Sequence, residues 1–151
     1  MRRGHEEASM RRMFLAVTGL AIGAVLAMNV GVRAEQAQDP AVIDKAMKAV
    51  GPAFGALRKA VEGGMEAEAK TAAGNLSKAM ADTEGFFKSH GKADGVELAQ
   101  AAKKGADAIA NGATGDAAKA AAGEIGKTCA GCHSKYRDKA ADGTYTYKPG
   151  N

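Results

Sequence analysis

The sequence predicts an all-α fold, an antiparallel four-helix bundle, on three observations. Apolar residues recur at spacings of three and four in four successive blocks, and no stretch of any length alternates as a half-buried strand would. The blocks are joined by short glycine-bearing connections, which favour antiparallel neighbours. Alanine, the strongest intrinsic helix former, occurs 35 times in 151 residues. Trp is absent and Phe occurs only four times, so the core has little bulk of its own and leaves room for a non-protein group.

Residues 1–34 read as a cleaved secretory signal peptide. Arg11 and Arg12 precede the apolar run from Met13 to Met28, and Val32-Arg33-Ala34 offers small residues at a cleavage tripeptide. A retained membrane anchor is the rival reading, because the run approaches spanning length. The pair Arg11-Arg12 also resembles a twin-arginine signal, but the cysteine chemistry described below favours general secretion of an unfolded chain. Either Met1 or Met10 can serve as the start. The expected mature form is not membrane-embedded and is periplasmic.

The expected domain spans 35–139, followed by a flexible C-terminal tail at 140–151. Its first helix opens at Asp39-Pro40, a good N-cap followed by Pro at the first helical position. Ile43, Met47, Val50, Phe54, Leu57 and Val61 then form one seam, which stays in phase through Gly51-Pro52, where a kink is expected. Gly63-Gly64 ends the block. The second helix shows Ala69, Ala72, Leu76, Met80, Thr83 and Phe87 on one side and stops at His90-Gly91. The third, weaker, runs from about Asp94 to Ala110 with Leu98, Ala102, Ala106 and Ile109 inward. The fourth, capped by Thr114 or Asp116, turns Ala118, Ala122, Ile125, Cys129, Cys132 and Tyr136 inward.

Charge excludes one function class. The net charge of +4 divides into +3 on residues 1–34 and +1 on the rest. The mature chain therefore lacks a basic footprint, and nucleic acid is not an expected partner.

The strongest chemical signal is Cys129-Ala-Gly-Cys132-His133, a C-x-x-C-H string of the c-type haem attachment pattern. On a helix the three side chains lie at i, i+3 and i+4 and share one face. Two thiols can then form thioethers to the porphyrin vinyl groups, with the imidazole placed to bind iron. Three alternatives compete. A Cys129–Cys132 disulfide would strain a helix. A thioredoxin-like pair would follow a strand, and none is expected here. A zinc site would need a fourth ligand, and His90 is the only other mature histidine.

Only 18 residues follow His133, none of them Met or His, so any second axial ligand comes from upstream. The candidates are Met47 on the first seam, Met65 at a helix start, Met80 on the second seam and His90. Packing explains any single seam Met equally well. His90 is expected as a solvent-facing helix cap.

The segment Cys129-Ala-Gly-Cys-His-Ser-Lys-Tyr-Arg137 on the last of four helices resembles the class II c-type cytochromes, which comprise the cytochromes c′ and the low-spin cytochromes c556. Ala46-Met47-Lys48-Ala-Val-Gly51-Pro52 is similar to the first-helix segment of that family, and the resemblance covers about residues 40–139. It implies one covalently bound haem c per chain, on Cys129 and Cys132, with His133 as proximal iron ligand. It implies Met47 as distal ligand, as in the c556 members, and Arg137 near the proximal haem face. In the c′ members an apolar side chain about one turn earlier blocks the distal site, a place that Ile43 would fill here. The connections around helices two and three are shorter than is usual in the family, a departure that bears on the haem-edge contacts. A homodimer through helix one is compatible with the family, although the seam on that helix also serves the core and haem.

The resemblance thus implies a one-electron carrier with His133/Met47 ligation, meeting redox partner proteins by transient contact. Lys127, Lys135 and Arg137 could steer acidic partners. The alternative is a five-coordinate, high-spin protein binding NO or CO in a pocket walled by Ile43, Val50 and Phe54. No enzyme activity is expected, because no seam carries a distal His for peroxide chemistry.

Overall fold

The computed structural model describes residues 40–139, 141 and 145–148. The signal peptide expected at 1–34, with the Met1 or Met10 start, lies outside them, as does Asp39. Four helices account for nearly all of the described chain: α1 (Pro40–Glu62), α2 (Glu66–Ser89), α3 (Ala93–Ala110) and α4 (Gly115–Tyr136). Two short strands follow, β1 (Arg137–Lys139) and β2 (Tyr145–Tyr147). No helix among the described residues is long and apolar enough to cross a membrane.

Glycine ends three of the helices in the same way. Gly64, Gly91 and Gly112 all have positive φ, a conformation that costs a residue with a Cβ. In each case the glycine N–H bonds three residues back and the next N–H bonds five back: Met65 to Ala60 at 2.9 Å, Lys92 to Phe87 at 3.0 Å, Ala113 to Ala108 at 3.0 Å. These are Schellman caps, which satisfy the last carbonyls and reverse the chain within three or four residues. Thr114 takes the N-cap place of α4 with extended backbone, but its side chain makes no cap bond.

The seams read from the sequence face inward. On α1, Ile43, Val50, Leu57 and Val61 are buried, and Met47 and Phe54 are half-buried. The helix runs unbroken through Pro52, which with Gly51 faces outward. On α2 every expected seam residue is buried. Consecutive helices pack along their lengths, whereas α1 and α4 touch far more sparingly. The main core lies among all four helices, rich in alanine around Leu57, Leu76, Met80, Ile109 and Ile125. A second cluster of Ile43, Phe86, Phe87 and Tyr136 forms near the C-terminal ends of α2 and α4.

The region expected as a tail at 140–151 contains a strand. Tyr145–Tyr147 pairs antiparallel with Arg137–Lys139, Arg137 facing Tyr147 in register, and the Lys148 N–H donates to the Tyr136 carbonyl at 3.0 Å. Tyr147 packs against the second cluster. Three residues are too few for periodicity to reveal a strand, and its partner is an equally short strand that directly follows α4.

Small residues permit the close helix contacts. A Cβ on Gly95 of α3 would come within 2.5 Å of the Phe87 ring, itself almost fully buried on α2. Gly95→Ala should therefore lower stability by about 1–3 kcal/mol despite the better helix propensity of Ala. Chemical denaturation of the variant and the parent checks this.

Candidate functional site

The C-x-x-C-H residues occupy the last two turns of α4. Cys129 and Cys132 are free thiols, both half-buried, and His133 is half-buried beside them. Cys129 borders the main core and Cys132 borders the aromatic cluster, so the pair straddles the junction between the two. Burial pushes the Cys129 thiol up and takes Cys132 to about 11, with Cys129 and Asp94 adding to the latter shift. Burial also holds His133 below the usual imidazole value, helped by the positive charge of Arg137. Both effects favour the neutral imidazole, the form in which it ligates a metal.

Of the three candidate methionines, Met47 is the one that borders both clusters, and it shares the aromatic one with Cys132 and Ile43. Met65 is exposed at the start of α2. Met80 is buried in the main core. His90, expected to face solvent, is instead half-buried: its ring lies 4.1 Å from that of Phe86, and Nδ1 donates to the Phe86 carbonyl at 2.8 Å. The pull of the aromatic cluster outweighs hydration of a ring that has its hydrogen bond satisfied locally.

Where α1 and α4 diverge, a groove of about 380 Å3 opens between Phe54 and Val61 on one side and Ala122, Gly123 and Gly126 on the other, with Arg58 and Lys119 at its rim. Gly126 lies one helical turn before Cys129, on the same stripe of α4. A Cβ there would stand 3.5 Å from the Phe54 ring. The donor set and its surroundings suit a c-type haem: two unpaired thiols on one helical face, a neutral imidazole next to them, and a thioether on the neighbouring helix. Among the described residues no three His, Cys, Asp or Glu side chains converge as a metal site.

The cations expected to steer partners are already engaged. Lys127 pairs with Glu124 at 2.6 Å, and Lys135 pairs with Asp94. Arg137 is exposed and stacks its guanidinium 4.1 Å over the Tyr145 ring. Its side chain thus leans on the hairpin, while its charge still reaches His133.

The sequence reading missed Asp94. At the start of α3 it accepts hydrogen bonds from both Lys135 and Tyr136, the Tyr136 hydroxyl at 2.6 Å, and so clamps the last turn of α4. Its partners lie 41 and 42 residues away, beyond the reach of any local pattern. The two hydrogen bonds hold its carboxyl down to about 2, Lys135 being the larger cause. Burial, and then the Asp94 carboxylate, raise the Tyr136 phenol.

A carboxylate with a lowered folded-state value stabilises the fold above its unfolded value of 3.8 and ceases to do so as pH falls towards 2. Asp94→Asn should accordingly weaken the dependence of the unfolding midpoint on pH between these limits and lower the midpoint at neutral pH. Thermal melts of both proteins across that range measure it. No protein-family model matches the chain, and neither curated proteins nor solved structures give a match to it.

Proposed function

We propose that the chain is an exported, periplasmic monohaem c-type cytochrome of class II, a one-electron carrier with a covalently bound haem c. Cys129 and Cys132 hold the haem as thioethers, His133 is the proximal ligand, and Met47 is the distal ligand. The support for this reading is the C-x-x-C-H string on one helix together with Met47 bordering the same aromatic cluster that Cys132 borders. A haem held there supplies an iron that changes oxidation state by one electron, at a potential raised by Met/His ligation.

The protein's own residues have separable tasks. The thiols fix the cofactor on α4, and their half-exposure leaves one edge of the site near the surface, where a redox partner can approach through a small transient contact. Burial and Arg137 favour the unprotonated form of His133 for ligation. Asp94, through Tyr136 and Lys135, sets the position of the helical turn that bears the attachment residues. Because Lys127 and Lys135 are paired within the chain, recognition of a partner rests less on free positive charge than on the shape of the exposed edge.

A second reading has its own support in Ile43, buried in the cluster that Cys132 and Met47 border. With Met47 withdrawn, Ile43 becomes the distal wall, the iron is five-coordinate, and NO or CO binds. The absorption spectrum of the ferrous protein, produced in a host that matures c-type cytochromes, separates the two. A sharp, split α-band unaltered by CO is expected. Met47→Ala should convert it to a broad, CO-reactive spectrum; an unchanged spectrum would remove Met47 from the iron. A mature chain with the mass of its amino acids alone and no Soret band would refute the cytochrome reading altogether.

A further inference from the structure

The hairpin carries a polar atom for which the described residues offer no partner: the Tyr147 hydroxyl is buried and makes no hydrogen bond. A buried phenol ordinarily finds an acceptor. The ring has little freedom to turn towards one. It meets Phe86 edge-on at 5.0 Å, lies 6.2 Å from His90, and stacks on Tyr136 at 6.2 Å with only 12° between the planes. Strand pairing opposite Arg137 and the Lys148–Tyr136 hydrogen bond hold the backbone on both sides.

Neighbouring acceptors are already engaged. The Phe86 carbonyl accepts from Ser89 and from His90, and the Asp94 carboxylate accepts from Tyr136 and Lys135. What remains beside Tyr147 is the apolar cluster that Cys132 and Met47 border. An unpartnered donor in such a place marks a missing acceptor, and Cys132 is where the proposed cofactor attaches.

We propose that the Tyr147 hydroxyl donates a hydrogen bond to the haem at its Cys132 edge, which makes the C-terminal hairpin a strap that positions the cofactor. The inference rests on the cytochrome reading above. The acceptor on that edge would be the electron-rich face of the pyrrole ring attached at Cys132, because the Cys132 sulfur is already present and does not accept from Tyr147. Such an acceptor is weak, and suits a donor placed by aromatic packing rather than by the hydrogen bond itself. A donor here favours the more electron-rich ferrous state, so its removal lowers the reduction potential. Tyr147 is a positioning residue, with no bond to iron.

The test uses the haem-bearing protein. Proton NMR of the ferric form should show a slowly exchanging, hyperfine-shifted hydroxyl proton with a cross-peak to the haem. Tyr147→Phe, which keeps the ring, should lose that proton and shift the potential downward. Tyr145→Phe, on the exposed phenol of the same strand, should alter neither. A purely structural role would change the melting temperature of Tyr147→Phe and leave the potential unmoved. That result, or a parent protein without the proton, overturns the inference while leaving the cytochrome reading intact. If Tyr147→Phe fails to fold, the parent's proton decides the matter. A parent without haem overturns both.

Discussion

Phe87 stands where three elements meet, and the candidate site depends on its contact. It projects from α2, fills the room left by the missing side chain of Gly95 at the start of α3, and lies 4.6 Å from the ring of Tyr136 in the last turn of α4. Aromatic burial is non-directional, so by itself it would leave the rotation of that turn loosely defined. The two hydrogen bonds into Asp94 supply the direction. Packing thus brings the end of α4 against α2 and α3, and a single carboxylate sets which way it faces. Cys129, Cys132 and His133 precede Tyr136 on the same two turns and inherit that orientation.

Bulk is unevenly distributed around this junction. Towards the centre of the bundle the core is made largely of alanine, which lets consecutive helices approach closely. Towards the other end, four rings and His90 crowd together. Met47 borders both clusters, Cys129 the main core and Cys132 the aromatic one.

Electrostatics at the site work by restraint rather than by attraction. Burial favours the protonated form of both thiols and the neutral form of the imidazole. The nearby cations are tied to Glu124, Asp94 and the Tyr145 ring.

Helix number, the inward seams and the three glycine caps were legible in the sequence, because each is written in residues three, four or five apart. So was the attachment string, whose residues share a face on any helix. Met47 was one candidate among four, since spacing cannot tell a ligand from core filling; the helices had to pack before Met65 was seen to be exposed, Met80 enclosed and Met47 at the junction. The Asp94 clamp, the inward turn of His90 and the return of Tyr147 to the aromatic cluster were beyond sequence reading altogether. The first and last join residues far apart in the chain, and the burial of His90 depends on an aromatic cluster that exists only once the helices have packed.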